Sequence, residues 1–245
     1  MNTLSIDTTS EYLVLALSKD EGENLISGRV IKAGHNHSEI LIPALDELME
    51  KSGVTVESVK KLAVVVGPGS FTGIRIGLTF ARTFALAMKI PLAPVTTFEA
   101  IASSAILARR DVPDKNNDGK ILILINALLP LVHWAVADIK AGGKILPGYN
   151  PRLSKVDEVL DEISKKFKKS EVRYAGGSAL LDSGCADMVR KKFFKGIDGM
   201  EFLQKKVITH PDPRALALLC AQRSRVYNDP QKVEPLYLKD VYLRK

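Results

Sequence analysis

The stretch from Leu62 to Met88 constrains the fold of this chain more than any other. It opens on Leu62-Ala63-Val64-Val65-Val66, a short β-branched apolar run of the kind that forms a buried strand. Gly67-Pro68-Gly69 follows as a turn. Ser70 or Thr72 can then cap a helix by accepting a backbone N–H bond, and from Thr72 to Met88 the pattern is helical. A strand, a glycine-rich turn and a helix in this order can cradle a phosphate. The specific phosphate motifs fail, however. A dinucleotide fingerprint needs glycine where Thr72 stands, and no register supplies the Gly-Lys-Ser/Thr of a Walker loop. A nucleophile elbow centred on Ser70 lacks glycine at positions 68 and 72. Tight turning and close packing are the preferred role of these glycines, with phosphate binding at Gly67, Gly69 and Ser70 as the alternative.

Within the helix, Gly73, Gly77, Ala81 and Ala85 fall four apart and stack on one face. Glycine inside a helix costs roughly 1 kcal/mol relative to alanine, so the stripe points to a backbone that approaches closely. Arg75, Thr79 and Arg82 make a narrow polar strip, and Ile74, Ile76, Leu78, Phe80, Phe84, Leu86 and Met88 leave most of the remaining circumference apolar. A helix apolar on more than one face is covered on more than one face, either by its own domain or by a partner protein.

A length of 245 residues suits one large or two small domains. The two cysteines, Cys185 and Cys220, lie far apart without metal-ligand spacing, so reduced thiols and a cytoplasmic setting are expected. The N-terminus shows no basic region followed by an apolar core, and Asn126, Pro130, His133 and Asp138 interrupt the most hydrophobic stretch, Ile121 to Ile139. No membrane association is expected. Charge is uneven. Residues 1–104 carry nine Lys/Arg against eleven Asp/Glu, a net −2, and the rest carry twenty-six against seventeen, a net +9. Clusters stand at Lys165–Lys169, Lys191–Lys195 and Lys205-Lys206. A basic half can attract nucleic acid, although each cluster alone reads as a solvated helix surface.

Along the chain, Thr3–Asp7, Leu13–Leu17 and Leu25–Ile31 read as three successive strands. Asn36 with Glu39 resembles a capping box opening a helix to Lys51, with Ile40, Leu41, Ala44, Leu45, Leu48 and Met49 as its apolar face and a kink expected at Pro43. After the central stretch come a strand at Leu92–Val95 and a helix at Thr97–Ala108. Asp111 to Gly119 is the best linker candidate. Strands at Lys120–Ile125, Leu131–Ile139 and Lys144–Leu146 follow, then a helix at Lys155–Lys168, a strand at Val172–Ala175, a turn at Gly176-Gly177-Ser178 into a helix, and a helix at Arg214–Tyr227 before an extended tail. The second half repeats the first, which indicates an α/β protein.

Four segments resemble one known family. Asp7-Thr8-Thr9 after the first strand, His37-Ser38-Glu39 before the Pro43-containing helix, Gly67 to Gly77, and Glu234-Pro235-Leu236-Tyr237-Leu238 are similar to elements of the bacterial TsaB proteins, once called YeaZ. The match is close over residues 1–104, thin over 120–210, and returns at the tail. The resemblance implies a two-domain actin/Hsp70/sugar-kinase-like (ASKHA) α/β fold with mixed sheets flanked by helices. Residues 1–110 would form the first domain, completed by 212–245, and 111–211 a second, diverged one. It implies a scaffold that binds and activates the catalytic paralogue TsaD, with the ATPase TsaE as third partner, in threonylcarbamoylation of the adenosine beside the anticodon of tRNA. ATP or ADP with Mg would then enter through that complex. The helices carrying Ile40, Leu41, Ala44, Leu48 and Gly73, Arg75, Ile76, Gly77, Phe80, Ala81, Phe84 would form the docking surface, and a homodimer could use it when TsaD is absent.

The paralogue carries His-x-Glu-Gly-His beyond the same turn and binds a metal there. At that place this chain reads Thr97-Phe98-Glu99-Ala100-Ile101, which cannot grip a metal. No metal site or catalytic residue is therefore expected. A stand-alone ATPase or kinase using Asp7, Thr8, Gly67, Gly69 and Ser70 is the alternative, weakened because Thr8-Thr9-Ser10 follow Asp7 where a phosphate loop needs glycine. The second domain opens on Asn126-Ala127-Leu128 where many relatives have Asp-Ala-Arg. His35 and His37 read as solvated loop residues, and Arg75 and Arg82 as partners for carboxylates across an interface.

Overall fold

The period-two and β-branched runs become strands, and the apolar stripes become helices laid on them. A computed structural model describes residues 1–19, 24–110, 119–138, 144–145, 150–196, 207–222 and 226–238. The linker candidate at 111–118, the Lys205-Lys206 cluster and the tail beyond Leu238 lie outside these residues. The chain divides into two units: 1–100 with 211–237, and 101–210 with Leu238.

In the first unit the strands β1 (Asn2–Asp7), β2 (Tyr12–Lys19), β3 (Asn24–Lys32), β4 (Val59–Val65) and β5 (Leu92–Val95) form a sheet in the order β3-β2-β1-β4-β5. Strands β1, β2 and β3 pair antiparallel, whereas β1–β4 and β4–β5 are parallel. The parallel pairs require crossovers. Helix α1 (His37–Ser52) and helix α2 (Phe71–Met88) supply them, and α3 (Thr97–Arg110) follows β5. Both faces of the sheet are covered, and β1 and β4 are buried almost throughout. Leu4, Ile6, Leu62 and Val64 meet Leu41, Leu45, Leu48, Leu78 and Ala81 from α1 and α2 on one side. Val14, Ala63 and Val65 meet Ala100 and, from the last helix, Leu216 and Cys220 on the other.

The second unit repeats this plan. Strands β6 (Lys120–Asn126), β7 (Leu131–Asp138), β8 (Lys144–Ile145), β10 (Val172–Gly176) and β11 (Val207–Ile208) lie in the order β11-β10-β6-β7-β8, and β9 (Arg152–Lys155) pairs with β7. Again the first three pair antiparallel and the fourth and fifth parallel. Helices α4 (Val156–Lys166) and α5 (Ser183–Phe193) occupy the places of α1 and α2, and α6 (Pro213–Gln222) returns to the first unit's sheet. Even the first turn is copied. Asp7 Oδ1 accepts the Thr9 N–H at 2.8 Å, and Asn126 Oδ1 accepts the Leu128 N–H at 2.9 Å. The expected two-domain, mixed-sheet, actin-like α/β fold is thus observed.

Several local expectations are corrected. Asn36 does stand at the N-cap of α1, but its side chain makes no capping bond; its carbonyl takes the Glu39 and Ile40 N–H groups instead. His37 is 4% exposed, the first residue of α1 rather than a solvated loop residue. Strands β9 and β11 were not anticipated; β9 carries a single apolar residue, Leu153, among Arg152, Ser154 and Lys155. Gly176-Gly177 leads into a 3-10 turn, Ser178–Leu181, before α5 begins. Burial pushes the Cys185 thiol up to about 11, and Cys185 and Cys220 are both buried and unbridged.

Glu47 on α1 joins Lys51 and Arg29. Hydrogen bonds from Lys51 and then Arg29 hold its carboxyl at about 2, below the usual 4.5. A depressed carboxyl stabilises the fold above its unfolded pKa, and this contribution disappears as pH falls through the folded value. The melting-temperature gap between wild type and Glu47→Gln should therefore be constant above pH 5 and close between about pH 4.5 and 2. A gap that persists at pH 2 would exclude the triad as its source.

Candidate partner-binding groove

The glycine turn was the first candidate site, and its surroundings are its own chain. Ser70 caps α2, its Oγ accepting the Gly73 N–H at 3.2 Å, which decides between Ser70 and Thr72. The Ser70 N–H bonds the Thr9 carbonyl at 2.8 Å, and the Ile74 N–H bonds the Ser70 carbonyl at 2.8 Å. The Ser70 and Gly73 N–H groups, two donors a phosphate at this turn could use, are thus engaged within the chain. Gly69 has φ +158, and a Cβ there would overlap the Thr9 carbonyl oxygen. A Cβ on Gly67 would meet the Leu236 carbonyl oxygen at 3.0 Å. Asp7 and Thr8 are fully buried. The candidate nucleotide set Asp7, Thr8, Gly67, Gly69 and Ser70 is therefore corrected: the first β-turn and the glycine turn are closed on each other, and close packing is the glycines' role.

Beyond the turn, the Thr97 hydroxyl donates to the Pro68 carbonyl at 2.7 Å. Glu99 accepts the Thr96 N–H and hydroxyl, both at 2.8 Å, while Thr96 Oγ1 accepts the Glu99 N–H. That is a capping box opening α3. Glu99 is thereby engaged in capping the start of α3. Among the described residues no three His, Cys, Asp or Glu side chains gather as a metal set.

The small-residue stripe faces inward as well. A Cβ on Gly73 would overlap the Thr8 carbonyl oxygen, and one on Gly77 the Thr8 hydroxyl. Ala81 and Ala85 are buried against the sheet. Gly73, Gly77 and Ala81 are thus removed from the candidate interface. Ala44 and Leu48 are core residues too, and Leu41, 2% exposed, contributes only floor. Arg82 is likewise reassigned: its Nε donates to the Val233 carbonyl at 3.0 Å, strapping the tail to α2.

What remains open is the other face. Between α1 and α2 lies a cleft of about 510 Å³, lined by Ser38, Leu41 and Ile42 from α1 and by Phe71, Thr72, Arg75, Ile76, Thr79 and Phe80 from α2. Phe71 is 57% exposed and Ile42 47%, and Leu86 further along α2 is 58% exposed. Ile40, Ile76, Phe80 and Phe84 are partly buried against the core and partly open. Arg75 lies over the Phe71 ring at 5.3 Å, and Tyr237 from the tail stacks on the same ring at 5.3 Å. Of the residues expected at an interface, Ile40, Arg75, Ile76, Phe80 and Phe84 lie on this open face, beside Ile42, Phe71, Thr79 and Leu86, which the sequence reading did not include. Ile42 was legible as an apolar residue out of phase with the core stripe Leu41, Ala44, Leu45 and Leu48.

Such a chain is an actin-like α/β protein with its glycine turn sealed and an apolar groove open between two helices. Residues 31–242 match the model of the family described as "TsaD: tRNA N6-adenosine threonylcarbamoyltransferase". The chain belongs to this family, in its TsaB/YeaZ branch. The tRNA threonylcarbamoyladenosine biosynthesis protein TsaB of Bacillus subtilis is 26% identical over 242 residues, covering 98% of this chain and 94% of that protein. The protein of the same name from Escherichia coli is 30% identical over 135 residues, 55% of this chain and 54% of its own length. YeaZ from Pseudomonas aeruginosa shares the fold with a TM-score of 0.69 at 17% identity, over 97% of this chain and 99% of that one.

Proposed function

We propose that this chain is a TsaB-type subunit that docks onto a TsaD-type transferase and activates it in threonylcarbamoylation of the adenosine beside the anticodon of tRNA. The open apolar groove of α1 and α2 carries the reading. Monomeric proteins seldom leave such a patch uncovered without a binding role. The sealed glycine turn and the capping role of Glu99 favour a subunit without its own transfer chemistry over a stand-alone ATPase or kinase. TsaE is the further partner, and ATP or ADP with Mg enters through the complex. The setting is cytoplasmic; among the described residues no helix is long and apolar enough to cross a membrane.

The test is tRNA modification by TsaD and TsaE of the same organism, given ATP, Mg and the activated threonylcarbamoyl donor, with and without this chain. Modification should require the chain, and the chain alone should neither modify tRNA nor hydrolyse ATP. Equal modification without the chain would overturn the proposal.

A further inference from the structure

The second unit carries cations that its acids do not neutralise. Strand β9 pairs antiparallel with β7, and β7 antiparallel with β6, so β9 runs parallel to β6 and to β10. Helix α4 must therefore run back against β10, and α5, between the parallel strands β10 and β11, must do the same. The two helices are parallel, so their C-terminal ends point the same way, and Lys192 Nζ near the end of α5 reaches Asp161 Oδ1, midway along α4, at 2.8 Å. Those ends carry Lys165, Lys166 and Lys168 from α4 and Lys191 and Lys195 from α5, all exposed.

Among the described residues, four acids of these segments are already engaged. Asp161 holds Lys192, Glu162 holds Arg152, Glu171 holds Lys120 at 2.8 Å, and Asp187 holds Arg190 at 3.3 Å. A helix C-terminus attracts cations with only about half a charge. Lys165 stands near Asp161 and Lys168 near Glu171, but those acids already hold Lys192 and Lys120, so the five lysines leave an excess of positive charge whose mutual repulsion a polyanion would reverse. The aromatic residues of the same segments turn inward: Phe193 and Phe194 are buried, and Phe167 lies under Lys120 at 4.9 Å. Among the described residues of these two ends, a bilayer would find no exposed aromatic side chain to insert. Two rows of flexible ammonium groups on helices about 8–10 Å apart suit a backbone with a phosphate at every nucleotide.

We infer that the C-terminal ends of α4 and α5 form an RNA phosphate-backbone contact, placing tRNA on the second unit of this chain. The inference rests on the proposed function for the identity of the RNA. Its test uses the chain alone: binding of labelled, unmodified tRNA followed by anisotropy across a salt series. Each lysine–phosphate contact contributes roughly one unit to the slope of log affinity against log salt. The triple variant Lys166→Gln/Lys191→Gln/Lys195→Gln should weaken binding at least tenfold and flatten the slope by about 2 to 3. A first-unit control of equal charge change, Lys32→Gln/Lys60→Gln/Lys89→Gln, should do neither. Equal effects of the two variants, no tRNA binding by wild type, or binding to phosphatidylserine vesicles without binding to tRNA would each overturn the inference. None of these outcomes bears on whether modification requires the chain, so the two readings fail separately.

Discussion

Replacing Gly73 with alanine is expected to destabilise the protein by about 1–3 kcal/mol, the usual cost of overpacking a filled site. The direction is the informative part. In an open helix the same change would gain about 1 kcal/mol from propensity. Here the new methyl would overlap the Thr8 carbonyl oxygen, and the Thr8 hydroxyl, which donates to the Gly73 carbonyl at 2.7 Å, would lose its place. Gly77→Ala should behave alike, but its clash is with the Thr8 hydroxyl rather than with backbone. Thr8→Ala should therefore rescue Gly77→Ala in part, with a coupling above about 0.5 kcal/mol, and should not rescue Gly73→Ala. Urea midpoints at unchanged slope provide the measurement. A midpoint that stays or rises in Gly73→Ala would return the stripe to the surface, where a partner could cover it.

Ile42→Asp and Thr79→Arg are expected to weaken association with the TsaD-type partner more than 100-fold, equivalent to about 2.7 kcal/mol. Both residues line the groove, and both side chains are open enough for the new charge to stay hydrated in the free protein. On docking that charge would be buried in an apolar contact without a partner, which is costly. The arginine would also stand one turn from Arg75. Melting temperatures should remain within a few degrees of wild type. Titration of the purified partner by calorimetry reads the effect, and affinities within threefold of wild type would remove the groove from the interface. If the free chain is a dimer through the same groove, both variants should also be monomeric.

Much of the architecture was legible because local patterns carry it. The alternation of apolar strands with striped helices led to an α/β protein, and the recurrence of strand group, helix, strand, helix led to the repeat. The central stretch was read correctly as strand, turn and helix because β-branched residues, glycines and a capping serine each act within a few residues of themselves. Strand β9, with one apolar residue in four, left no such trace.

The sites divide along the same line. Helical phase alone put Gly73, Gly77 and Ala81 on one face and required a close neighbour, which the family resemblance made a partner protein. The neighbour is Thr8, 65 residues away, and it arrives only because β1 lies beside β4 in the sheet. A residue so placed turns an expected docking stripe into an internal seam. The same long-range pairing closes the glycine turn on Thr9 and moves Arg82 from a partner's carboxylate to the chain's own tail. By itself the sequence determined the elements, their repeat and the family, since these follow from periodicity and motif. Only the tertiary structure decided which face of α2 is open, because exposure is a property of what strand order brings against a helix and not of the helix itself.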